Sequence, residues 1–120
     1  MNSAGAWSRK YLNYEFKDPA ILELALTHKS LAAENTERLE YLGDSVLGFV
    51  IADALYHQEP DDGEGALSRK RSLLVKGTTL TEVARSIKLH SVLKLSNAEK
   101  RSGGHQRNSV LEDALEAVFG

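Results

Sequence analysis

The sequence predicts an all-α domain, and three observations carry that prediction. Apolar residues recur at helical spacing along most of the chain. Short polar loops separate these segments, and only two prolines, Pro19 and Pro60, interrupt the chain. No stretch shows the strict alternation of a half-buried strand.

Taken in order, the elements have local causes. Trp7 is expected to be an apolar anchor for a first helix. Asp18 followed by Pro19 supplies an N-cap and a first-turn proline, opening a helix that carries Ile21, Leu22, Leu24, Ala25 and Leu26. A long helix is predicted from about Thr36 to Tyr56, ending before the loop Glu59-Pro60-Asp61-Asp62-Gly63. Another runs from near Gly65 to about Lys76, where Gly77 should stop it. Thr79 with Glu82 forms a capping box, placing Leu80, Val83, Ala84 and Ile87 on one face. The stretch His90 to Leu95 is short enough to be extended or a single turn, and Ser102-Gly103-Gly104 reads as a flexible loop. Ser109 with Glu112 repeats the capping box and opens a last helix to the end of the chain.

With 120 residues, 42% hydrophobic and 27% charged, the chain suits one small globular domain over residues 1–120. Its lack of cysteine removes disulfides, thiolate metal sites and cysteine nucleophiles, and is compatible with a reducing cytoplasm. Met1 to Lys10 has no apolar run behind a basic start, so no secretory signal is visible. The longest apolar run, Val46 to Ala52, is far short of the roughly 20 residues a membrane helix requires. The expectation is a soluble, cytoplasmic protein with no membrane partner. A formal net charge of −2 means that a nucleic-acid partner would have to be gripped by local basic patches.

Two helices carry unusual acids. At ~100° per residue, Glu37, Glu40 and Asp44 fall within an arc of about 60°. Leu39, Leu42, Val46, Phe49 and Val50 lie roughly opposite as a core stripe, and the helix beyond Asp44 is apolar enough to be buried on every side. On the final helix Asp113 and Glu116 are neighbours, with Val110, Leu111, Ala114, Leu115 and Val118 as the core stripe. A solvated polar face would explain either set alone. Counter-charge is missing, however: Glu40/Asp44 and Glu112/Glu116 are like-charge i,i+4 pairs, each costing a few tenths of a kcal/mol on an isolated helix. If the two helices pack together, the carboxylates converge into a set of hard oxygen ligands suited to magnesium or manganese, the ions that phosphodiester hydrolysis uses.

The run Glu37-Arg38-Leu39-Glu40-Tyr41-Leu42-Gly43-Asp44-Ser45-Val46-Leu47 resembles the signature segment of the ribonuclease III family. The blocks Glu23 to Ser30, Glu64 to Ser68, Ser102 to Gly104 and Ser109 to Ala117 are similar to the family's other blocks, in the same order. The resemblance covers nearly the whole chain. It implies a ribonuclease III endonuclease-domain-like helical fold, a homodimer, and magnesium-dependent cutting of double-stranded RNA that leaves 5′-phosphate and 3′-hydroxyl ends with short 3′ overhangs. Carried over by position, Glu40, Asp113 and Glu116 would be metal ligands, Asp44 and Glu116 the most critical for catalysis, and Glu37 a supporting acid. The family's double-stranded-RNA-binding domain does not follow in these 120 residues, and its nuclease domain normally continues beyond Gly120; the expectation is a fragment.

Other residues are weighed against simpler roles. Tyr41 lies about 40° round the helix from Glu37 and could be a core tyrosine of the monomer; the resemblance favours a knob entering a partner subunit, with Gly43 permitting close helix approach there. Arg69, Lys70, Arg71, Lys76, Lys100, Arg101 and Arg107 are the candidate RNA-facing residues, although each alone would pass as a solvated charge. Glu64 is explained by the helix dipole, and the four histidines lack ligand spacing for zinc. The competing readings are a non-catalytic RNA-binding module on the same fold, against which the intact acids speak, and a helical interaction domain whose acids only solubilise it.

Overall fold

A computed structural model describes residues 3–120; Met1 and Asn2, part of the N-terminal stretch read for a leader, lie outside them. In chain order the helices are α1 (Ala4–Trp7), α2 (Pro19–Ala25), α3 (Glu37–Gln58), α4 (Glu64–Val75), α5 (Gly77–Ser86), α6 (Asn97–Arg101) and α7 (Asn108–Phe119). A π-type turn, Ser8–Leu12, extends α1, and 3-10 turns at Leu89–Ser91 and Gly104–Gln106 flank α6. The one extended pairing among the described residues is an isolated parallel bridge between Thr27 and Lys94. The protein is all-α, as its periodicity predicts.

The core is organised around α7, which buries Val110, Leu111, Ala114, Leu115, Ala117 and Val118. Leu22, Ala25 and Leu26 close on it from one side, Leu80 and Ala84 of α5 and Leu89 to Leu95 from others. Trp7 is buried and donates its indole N–H to the carbonyl of Ile87 (2.7 Å), tying the N-terminal turn to the end of α5. Asp18 caps α2 as its sequence predicts, accepting from the Ala20 amide at 3.0 Å.

Several local expectations are corrected. Gly77 does not stop a helix. The chain breaks at Lys76, whose backbone is extended, and Gly77 opens α5. Thr79 consequently lies inside α5 and donates its hydroxyl to the Leu73 carbonyl (2.9 Å), satisfying an orphan acceptor at the end of α4 instead of capping α5. Arg107 occupies the N-cap position of α7, so Ser109 is already inside the first turn and forms no box. Ser102-Gly103-Gly104 is ordered into successive turns, with Gly104 buried. Val83 is exposed, outside the stripe assigned to it.

The largest correction concerns α3. Its second half is not buried all round, and the predicted stripe is largely open: Leu42, Phe49 and Val50 are exposed, Phe49 by 71%. Beyond its contact with α7, α3 packs chiefly against α4, and α4 buries none of its own residues. The helix is as apolar as its sequence indicates, but among the described residues no element covers that face.

Candidate metal centre

The site begins with a backbone contact. Gly43 of α3 is buried against the main-chain carbonyl of Glu116 in α7, so closely that a Cβ there would collide with it. Gly120, at the end of α7, meets the Leu39 carbonyl in the same way. Two helices that touch backbone to backbone bring their flanking side chains onto one another. Glu40 and Asp44 from α3 therefore face Asp113 and Glu116 from α7.

Glu40, Asp113 and Glu116 each offer a carboxylate oxygen, and these oxygens lie within 4.8 Å of one another. Glu37, Tyr41, Asp44 and Glu112 complete an open cleft of about 460 Å³. Glu116, at 8% exposure, is the one charged residue type among the buried residues described.

Electrostatics follow from this crowding. Burial, reinforced by Asp113, pushes the Glu40 carboxyl up to about 7 from an ordinary 4.5. Burial first, then a hydrogen bond and charge from Asp44, pushes Glu116 up to about 8. Glu112 and Asp113 are also raised, both chiefly by burial. Glu40 lies within hydrogen-bonding reach of Asp113, and Glu116 of Asp44. Each helix thus contributes one member to each of two acid pairs, which stay together without a cation only by holding protons. Such a donor set, all oxygen and over-charged once ionised, fits a hard divalent cation.

The acids expected to meet do meet. Glu40, Asp113 and Glu116 form the convergent set, while Asp44 and Glu37 line the same cleft. Glu64 lines a separate hollow beside Tyr56 and Arg71. Tyr41 is 79% exposed and is not a core tyrosine of the monomer. Gly43 makes a close approach to α7 of its own chain, where the bare Cα is what lets the two acid-bearing helices touch; its expected place at a partner subunit is a separate matter.

Two of the basic candidates are engaged elsewhere. Lys70 pairs with Asp62 at 2.5 Å and Glu59 at 3.5 Å, and Arg107 pairs with Glu99, so neither charge is free. Arg69, Arg71, Lys76, Lys100 and Arg101 are exposed. They fall into two groups, since α4 and α6 make no contact.

Three residues of the site escaped sequence reasoning. Glu112 lines the cleft, its carboxylate 2.6 Å from where a Cβ on Gly77 would stand; its like-charge spacing to Glu116 was the available signal. His28 and Lys29 border the acids from the loop after α2. Nothing in their spacing could place them there.

Residues 18–120 match the family model described as Ribonuclease-III-like. Among similar curated proteins, Ribonuclease 3 of Colwellia psychrerythraea is 57% identical over 111 residues, covering 92% of this chain and 42% of that protein. Ribonuclease 3 of Vibrio campbellii is 50% identical over 120 residues, covering all of this chain and 53% of that protein. The chain thus spans about half the length of these relatives. A solved nuclease domain of ribonuclease III from Campylobacter jejuni, described as flexible in a region involved in dimer formation, superimposes with a TM-score of 0.90 at 43% identity over 93% of this chain and 79% of that one.

Proposed function

This chain belongs to the ribonuclease-III-like family, and from that premise we propose that it is a divalent-metal-dependent endoribonuclease acting on double-stranded RNA. The observation that carries the reading is the convergence of Glu40, Asp113 and Glu116 from two helices onto one point. These three would hold the cation, magnesium or manganese. When bound, the ion supplies Lewis-acid activation of water and neutralises charge on the phosphoryl oxygens.

The chain's own residues set the conditions for that chemistry. Asp44 lies within hydrogen-bonding reach of the protonated Glu116 carboxyl, and the two line the cleft together. Glu40, Asp113 and Glu116 would have to give up their protons to hold a cation, because its ligands must be ionised. Glu37, at the mouth of the cleft, adds negative charge that favours a cation without belonging to the convergent set. The open cleft leaves room for a phosphodiester. Hydrolysis in the family manner would leave 5′-phosphate and 3′-hydroxyl ends with short 3′ overhangs.

The chain acts as a homodimer in this reading. Support comes from α3, where Tyr41, Leu42, Phe49 and Val50 are all exposed with none of the described residues over them, an unusual arrangement for a monomer's surface. Among the described residues no helix is long and apolar enough to cross a membrane. The deciding experiment is incubation with double-stranded RNA, with and without magnesium. Cleavage only with the metal, with 5′-phosphate products, is expected; binding without cleavage would replace this reading with a non-catalytic RNA-binding one.

A further inference from the structure

The segment Thr27-His28-Lys29-Ser30 lies outside the helices and borders the acids of the metal centre, and several hydrogen bonds hold it there. The His28 amide donates to the Lys94 carbonyl (2.8 Å), and the Lys94 amide donates to the Leu26 carbonyl (2.9 Å). The Thr36 amide donates to the Thr27 carbonyl (2.9 Å), and the Thr27 hydroxyl to the Glu23 carbonyl (2.7 Å). Ser30 binds the chain before α6, its Oγ accepting from the Ser96 amide at 3.1 Å. A short loop tied to three other segments is a rigid platform.

That platform sets the state of a histidine. The Ser30 amide donates to His28 Nδ1 at 3.0 Å, with the Ser30 Oγ 2.7 Å from the same nitrogen. With Nδ1 occupied as an acceptor, the ring carries its proton on Nε2 and can act there only as a donor. His28 and Lys29 line a small cavity together with Glu37, Glu40, Asp113 and Thr36. Thr36 is 7% exposed, and its hydroxyl finds no hydrogen-bond partner among the described residues. Lys29 makes no ion pair among the described residues.

We propose that the Thr27–Ser30 loop is an RNA-phosphate platform: Lys29 and the Nε2–H of His28 take a phosphate oxygen of the substrate strand at the edge of the metal cleft. The proposal rests on the endonuclease reading given above. Its chemical logic is charge. Six carboxylic acids line the acid cleft, and a single divalent cation offsets two of their charges once they are ionised, so four negative charges would still repel a phosphodiester. A lysine ammonium and an imidazole N–H donor fixed beside Asp113 and Glu40 give the strand an anchor on the α2 side. The bond from His28 needs no proton transfer, because its tautomer is preset by the Ser30 amide.

The test is RNA binding by the full chain with calcium in place of magnesium, so that cleavage is suppressed, measured against salt for the unmodified protein and for Lys29→Met, Lys29→Arg, His28→Ala and His28→Gln. A phosphate contact contributes about one unit to the slope of log affinity against log salt. Lys29→Met should lower the slope by about that amount while leaving calcium affinity unchanged or higher, and Lys29→Arg should restore it. His28→Ala should weaken binding, and His28→Gln, whose amide donates from nearly the place of Nε2, should recover it. An unchanged slope in Lys29→Met, with calcium bound more tightly, would overturn the proposal, since Lys29 would then serve only as a counter-charge for Asp113. A His28→Gln variant as weak as His28→Ala, with an unaltered circular dichroism spectrum, would remove His28 from the platform. Failure of the unmodified protein to bind or cut double-stranded RNA would instead sink the parent reading, and the platform with it.

Discussion

Gly43 lies against the main-chain carbonyl of Glu116, and that single contact sets the spacing of both acid pairs. The first prediction follows from it. Gly43→Ala should gain up to roughly 1 kcal/mol of helix propensity, but it forces a methyl group into an occupied position, and overpacking of that kind costs typically about 1–3 kcal/mol. The expected result is net destabilisation in urea together with weaker magnesium binding, because α7 must move away from α3. A variant that is more stable and binds metal normally would show that the crossing has slack.

Glu116→Gln should leave the helical fold intact and abolish cleavage. The buried carboxyl already holds its proton up to about 8, so a neutral amide of the same shape replaces the form present in the metal-free protein. Activity should fall on the order of 10²-fold or more, the scale seen when a preorganised group at a reacting centre is lost. Circular dichroism checks the fold and a gel assay the cleavage; normal turnover at ordinary magnesium concentration would exclude Glu116 from the site.

Stability without metal should decline as pH rises. Glu40 and Glu116 are raised to about 7 and about 8 from 4.5, so the folded protein holds these protons more tightly than the unfolded chain. Their favourable contribution is complete below the ordinary value and disappears as pH climbs through the folded values. In chelator, Tm should therefore fall between pH ~5 and ~8 relative to a Glu40→Gln, Glu116→Gln double variant. Magnesium should flatten the trend by replacing the protons. A metal-free Tm that rises across this window, more than in the double variant, would contradict the picture.

Tyr41→Asp should weaken dimerisation. The ring is exposed at the junction of the acid cleft and an apolar groove lined by Leu24, Leu39 and Leu42. An aspartate would put further negative charge beside Glu37 and Glu40 and remove the apolar contact. Sedimentation at micromolar concentration is the measurement, with a shift from dimer to monomer expected. A dimer as tight as that of the unmodified protein would place Tyr41 outside the interface.

What the sequence by itself determined was local and periodic. Asp18-Pro19 started a helix because an N-cap and a missing amide act within one turn, and the 3.6-residue repeat put Glu40 and Asp44 on one face, Asp113 and Glu116 on another. The absence of counter-charge on those faces was already a sign that something outside the chain would neutralise them. Tertiary structure decided everything that depends on which surfaces meet. Spacing along one helix says nothing of the helix opposite, so it could not show that Gly43 admits α7. The apolar stripe of α3 could likewise be assigned to the core although none of the described residues covers Phe49. Glu112 reached the cleft, and His28 and Lys29 the adjoining cavity beside Glu40 and Asp113, only through packing, and Lys70 and Arg107 lost their free charge to acids met in the fold. Periodicity fixes the direction in which a side chain leaves its own helix; only the contact between helices determines what it finds there.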